Sequence, residues 1–95
     1  MGLSLEESLR LSVAALMQAT GDSQRALAAV LGLTQTQVSR RQSGATSWTL
    51  RDVDVLAEYY EIAALDLLAG PTRACETLPA ARRRGARAAE KGVAR

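Results

Sequence analysis

The stretch Leu31–Gly44, LGLTQTQVSRRQSG, decides how this chain is read. Between Thr34 and Gly44 it holds three glutamines, two serines, one further threonine and an adjacent arginine pair, with Val38 as the only apolar residue. A core helix is richer in apolar residues, and a solvated surface helix usually mixes charges of both signs. Here there is no carboxylate at all. Wound at about 3.6 residues per turn, Thr36, Ser39, Arg40 and Ser43 share one face, and Val38 points the opposite way. Gln35 lies on one flank of that face; Gln37 and Arg41 lie on the other. Such a face suits base edges in the DNA major groove. Arginine pairs bidentately with guanine, glutamine with adenine, and the threonine methyl meets thymine. A carboxylate there would face phosphates, so its absence fits.

Working outward, each flank reads as helix. Ser4 and Glu7 have the spacing of a capping box, and Leu5, Leu9, Val13, Leu16 and Met17 then recur at helical spacing until Gly21. A first helix is predicted over about residues 5–20. Asp22 or Ser23 caps a short second helix with Leu27, Val30 and Leu31 inward and Gly32 as its stop. Thr34 caps the third, over about residues 35–42. Thr49 with Asp52 caps a fourth, whose inner face is Leu50, Val53, Leu56, Ala57 and Tyr60. AALDLLAG reads as a short fifth helix ending at Gly70–Pro71.

Beyond that point the pattern dissolves. Of the sixteen residues 80–95, eleven are Ala or Arg, and Val93 is the only large apolar one. No stripe there can offset the entropy of ordering. The expected organisation is a helical domain over residues 1–70 and a basic tail over 71–95, disordered when free or helical against a partner. Charge divides the same way. Residues 1–69 carry five arginines and eight acids, a net −3, whereas residues 70–95 carry seven cations and two acids, a net +5. The tail is thus either a partner-seeking segment or a solubilising end.

Composition narrows the function. The 95 residues contain no His and no Phe, and one cysteine, Cys75. A metal centre, a triad hydrolase and an intramolecular disulfide are therefore disfavoured, and no cofactor motif is present. An enzyme is not expected. The start, MGLSLEESLR, has acids where a signal peptide has cations, and ALAAVLGL is too short to cross a bilayer. A cytoplasmic protein with no membrane partner is expected.

The run SQRALAAVLGLTQTQVSRRQSG resembles the core of the lambda-repressor/Cro type of helix-turn-helix regulator, the XRE-like family. The matching positions are Ser23–Gln24, Leu27–Ala28, Leu31–Thr34, Val38–Ser39 and Gly44, and TLRDVDVLAEYYEIAALDLLAG continues the likeness to residue 70. The resemblance implies an all-α, five-helix domain that binds double-stranded DNA. It implies base reading by Gln35, Thr36, Ser39 and Arg40. Backbone contacts would come from Gln24, Arg25, Gln37, Arg41 and Ser43, with the amides around Gly44 and Ala45. Two positions depart from the family. Arg41 stands where an apolar residue is usual: it either reaches out beside Gln37 or pairs with Asp52 or Asp54. Gln42 stands where an acid is common. Trp48 replaces a frequent proline and is expected to cover the space beside Arg41, or to touch the DNA backbone.

Members of that family often dimerise through their last helices. Tyr60 continues the inner stripe, which leaves Tyr59 as the exposed tyrosine; with Ile62, Leu65 and Leu68 it can form a self-complementary patch. The expected function is a Cro-like or immunity-type repressor binding a palindromic operator as a homodimer. The alternatives are an antitoxin of the same fold whose tail binds a toxin, and a protein-interaction module that does not use DNA.

Overall fold

The computed structural model describes residues 2–84. It is all-helical: α1 (Leu5–Thr20), α2 (Gln24–Leu31), α3 (Gln35–Ser43), α4 (Leu50–Tyr60), α5 (Ala64–Leu68), α6 (Pro71–Thr77) and a 3-10 turn (Ala80–Arg82). No helix among the described residues is long and apolar enough to cross a membrane.

Local chemistry sets most of these boundaries. At α1 the Glu7 N–H donates to Ser4 Oγ at 3.1 Å and the Ser4 N–H to Glu7 Oε1 at 3.0 Å. Of the two possible caps for α2 the chain uses Ser23, whose Oγ accepts from the Ala26 N–H at 3.1 Å. At α4 the Thr49–Asp52 pair forms the same reciprocal box as at α1. Between α2 and α3, Gly32 takes a left-handed φ of 69°, and the Leu33 N–H returns to the Ala28 carbonyl at 2.9 Å. Val38 is the buried residue of α3.

The core is built from one face of each helix. Val13 and Leu16 of α1, Leu27 of α2, Val38 of α3, Leu56 and Tyr60 of α4 and Leu67 of α5 are all fully buried. Each such side chain contributes about 1.5–3 kcal/mol.

The chain does not leave the domain at Gly70–Pro71. Pro71 opens α6 at the first helical position, where a missing N–H costs nothing, and Ala74 and Leu78 are buried in the same core as Leu16 and Leu67. The expected five helices are therefore six. The tail expected from residue 71 begins later, and its remainder over residues 85–95 lies outside the described residues.

Three arginines that read as tail cations are used structurally. Helices α1, α2, α4, α5 and α6 have no basic residue in their last turns. Arg82 Nη2 donates to the Tyr59 carbonyl at 3.0 Å, and Nε lies 3.6 Å from Glu61. Its guanidinium also stacks 4.6 Å from the Tyr59 ring centroid. Arg83 donates to the Cys75 carbonyl in α6. The Arg84 N–H donates to the Ala19 carbonyl of α1, and its guanidinium fills the space a Cβ on Gly21 would need. The triplet thus brings positive charge to the carbonyl ends of three helices that lack their own.

Tyr59 and Tyr60 pack edge to face, centroids 4.9 Å apart. The Tyr59 hydroxyl donates to Asp22 Oδ2 at 3.1 Å. Burial, then the Asp22 charge, then Tyr59 push the Tyr60 phenol above its ordinary value of 10.0. A phenol harder to ionise when folded stabilises the native state fully below pH 10, and that contribution fades as pH rises further. The urea midpoint should accordingly fall as pH is raised from about 10 to about 12. A flat midpoint across that window would contradict this account.

Candidate nucleic-acid interface

Helix α3 begins with a reciprocal cap. The Gln37 N–H donates to Thr34 Oγ1 at 3.1 Å, and the Thr34 N–H donates to Gln37 Oε1 at 2.8 Å. Gln37, expected at the flank of the DNA-facing surface, therefore spends its carbonyl oxygen on its own helix start; only its amide NH2 is left to face outward. Gln35, Thr36, Ser39 and Arg40 are all exposed, while Val38 is fully buried. The four residues expected to read bases are thus brought together on one open surface, and α3 carries no acid.

At the far end, Ser43 Oγ donates to the Arg40 carbonyl at 3.0 Å and accepts the Ala45 N–H at 3.4 Å. Gly44 closes the helix at φ 87°. The Ser43 hydroxyl and the Ala45 amide are engaged with each other, which leaves Ser43 less suited to the phosphate contact expected of it.

Arg41 turns inward. Its Nε lies 3.0 Å from Asp52 Oδ2, with the side chains only 14% and 5% exposed. The approach is off the line of the N–H bond, so the contact is an ion pair rather than a formed hydrogen bond. Of the alternatives open for Arg41, pairing with Asp52 is the one adopted, and its expected role beside Gln37 is corrected accordingly. The reason is local: Asp52 is fixed in the α4 cap, where its Oδ2 accepts the Thr49 N–H at 3.0 Å, and its charge needs a buried partner. Trp48 covers this region and is itself buried; its indole N–H donates to Gln42 Oε1 at 3.3 Å. An acid at position 42 would accept this bond too; the amide does so without adding charge.

At α2, Gln24 is the first helical residue and half-buried, and Arg25 is exposed. Gln24 borders an open depression shared with Gln18, Asp22, Gln42 and Arg84. Two cations beside this surface were not visible in the sequence. Arg84 stands at the junction of α1 and α2, and the Arg10 guanidinium packs against Gly44 just beyond α3. Each contact joins residues more than thirty positions apart, so no local pattern signals it.

The four residues expected in a dimer patch do not form one exposed surface. Tyr59 is occupied by Asp22 and Arg82, and Ile62 and Leu68 pack partly buried against the core. Leu65 alone stands out, 78% exposed. Among the described residues no group of three or more Cys, Asp or Glu is placed to hold a metal ion.

Comparison with known families gives a match over most of the chain. Residues 6–90 fit the model described as the BetR domain, a family of small helical domains of DNA-binding type. No curated protein and no solved structure matches the chain.

Proposed function

Because this chain belongs to the BetR domain family, we propose that it is a sequence-specific regulator of double-stranded DNA, of the helix-turn-helix build that the lambda-repressor/Cro type shares. In this reading α3 enters the major groove and a twofold dimer reads a palindromic operator, as a compact repressor does. The observation that carries it is the α3 surface: Gln35, Thr36, Ser39 and Arg40 exposed on one helix, held by a single buried valine and by caps at both ends. No packing demand accounts for four such side chains without one acid. The half-buried Gln24 at the start of α2 supplies the accompanying phosphate contact, with Arg25 beside it.

One observation favours a protein-interaction module instead. Residues 1–69 have a net charge of −3, and Arg41 is neutralised by Asp52, so the basic footprint is small. Selection from random double-stranded DNA at near-physiological salt separates the two readings. An enriched palindrome with half-sites about one helical turn apart is the expected result. Arg40→Ala should then lose discrimination at one base position by about 1–3 kcal/mol, whereas Gln24→Ala should weaken all sequences alike. No enrichment at any position would favour the protein module.

A further inference from the structure

Two arginines from outside the α2–α3 unit meet its two ends. Gly21, before α2, and Gly44, after α3, take left-handed φ angles of 82° and 87°. At each, a guanidinium occupies the space a side chain would need. Arg84 Nε lies 2.9 Å from where a Cβ on Gly21 would stand, and Arg10 Cζ lies 3.2 Å from the same point on Gly44. Each arginine lines an open depression, Arg84 with Gln18 and Gln24, Arg10 with Leu11, and Ala14 and Gln42 border both. A trough therefore runs along α1 from Arg10 to Arg84, beside the end of α3. Neither guanidinium is in an ion pair among the described residues. The acids lining the trough are tied elsewhere: Glu7 Oε1 accepts the Ser4 N–H, and Asp22 Oδ2 accepts the Tyr59 hydroxyl.

We propose that Arg84 and Arg10 hold DNA phosphates, one on each of the two backbones bordering the groove that α3 enters. This rests on the proposed DNA reading, in which the start of α2 meets one strand and the turn after α3 the other. Arg84 stands at the first of these places and Arg10 at the second. The α1 positions that hold them, Arg10 and Ala19, lie about 13 Å apart. That is too far to share one phosphate and comparable with a major groove about 12 Å wide. Arg10 also stands where a grip is missing, because Ser43 turns back on its own helix and Arg41 is neutralised by Asp52. Arg84 is held in advance: its N–H donates to the Ala19 carbonyl, and Arg83 donates to the Cys75 carbonyl. The Arg84 main chain thereby serves the end of α1, and its exposed side chain is left for a ligand. A cation fixed beforehand loses little freedom on binding, and a guanidinium meets phosphate oxygens through two N–H groups. Residues 70–84 add four arginines and one acid, which brings a domain of net −3 to neutrality. Placement of cations, more than total charge, then decides contact with DNA.

Salt-dependent binding of the full chain to its selected sequence and to a random duplex tests it, with phosphate-ethylation interference on the selected sequence. Arg84→Gln and Arg10→Gln should each weaken binding to both duplexes about tenfold. Each should also lower the slope of log K against log salt by about 0.9 per bound copy. Within a half-site the wild type should be sensitive to ethylation on both strands, and each variant should lose that sensitivity on one strand, a different one for each. Arg84→Lys should keep most of the slope, and Arg73→Gln, which removes a cation paired with Asp66 on α5, should leave it unchanged. A purely structural role would move the thermal melt and leave the slope alone. Unchanged slopes in both variants overturn the proposal, as does a loss no larger than that of Arg73→Gln. If a variant folds poorly the wild-type pattern decides, since sensitivity confined to one strand of the half-site also overturns it. Slopes that fall on random duplex with no sequence enriched would leave the two arginines in place and remove the regulator reading. An enriched sequence with unchanged slopes would do the reverse.

Discussion

A chain ending at Gly70 is expected to lose its cooperative unfolding transition. The cut falls where composition places the domain end, yet it removes Ala74 and Leu78 from the core and Arg82 from Tyr59 and Glu61. Helix α6 packs chiefly along α1, so its loss bares part of the longest helix in the fold. Losing Leu78 as a leucine-to-alanine change alone costs about 2–5 kcal/mol. Losing the rest of α6, with the Arg82 contacts, adds to that. Total stability for a domain of this size is about 5–15 kcal/mol, so the truncated chain has little or nothing left. Circular dichroism melts of the full chain, of residues 1–70 and of Leu78→Ala decide it. The point variant should melt about 10 °C or more below the full chain, and residues 1–70 should show a shallow, uncooperative slope. A sharp transition for residues 1–70 within a few degrees of the full chain would show that α6 is an accessory. The consequence for function is direct: any loss of DNA affinity on removing residues 72–95 would report unfolding before it reported a missing basic tail.

The reason α6 escaped sequence reading is physical. Its buried set is Ala74 and Leu78, a single i, i+4 pair, which is too little periodicity to stand out from an Ala-rich segment. Gly70–Pro71 reads as a stop, because glycine and proline do end helices, but proline equally begins them. Arg82 and Arg84 read as free charge because their carbonyl partners on α4 and α1 are distant in sequence, and Arg83 because its partner on α6 lies eight residues back, beyond helical spacing. By contrast, α1 to α4 were legible because their starts are written locally. Ser4–Glu7, Ser23, Thr34 and Thr49–Asp52 each close within three residues. The outward face of α3 was legible for the same reason, since one helix and one buried residue, Val38, settle its orientation. What the sequence left open at the site were choices between partners: whether Gln37 faces out or caps, whether Ser43 reaches away or turns back, and where Arg41 goes.

Arg41→Ala is expected to destabilise the protein by about 3–5 kcal/mol, the second large effect. The magnitude follows from what is left behind rather than from what is removed. Asp52 stays buried because it caps α4 through the Thr49 amide, so without Arg41 its carboxylate keeps one hydrogen bond and no counter-charge. An exposed arginine–aspartate pair would be worth about 0–1 kcal/mol, so the measured loss discriminates directly between a buried pair and a surface one. The double variant Arg41→Leu/Asp52→Asn should recover most of it. Asparagine retains an acceptor for the Thr49 amide without charge, and leucine fills the space beneath Trp48 with an apolar side chain. Urea unfolding of Arg41→Leu, of Asp52→Asn and of the double variant gives the coupling energy, expected at about 1.5 kcal/mol or more. If Arg41→Ala lies within about 1 kcal/mol of the wild type, water reaches Asp52 and the pair is no structural element. DNA selection with the folded double variant then separates structure from recognition. An unchanged preferred sequence assigns Arg41 to holding α3 against α4, while a change confined to one base position would return it to the reading face beside Arg40.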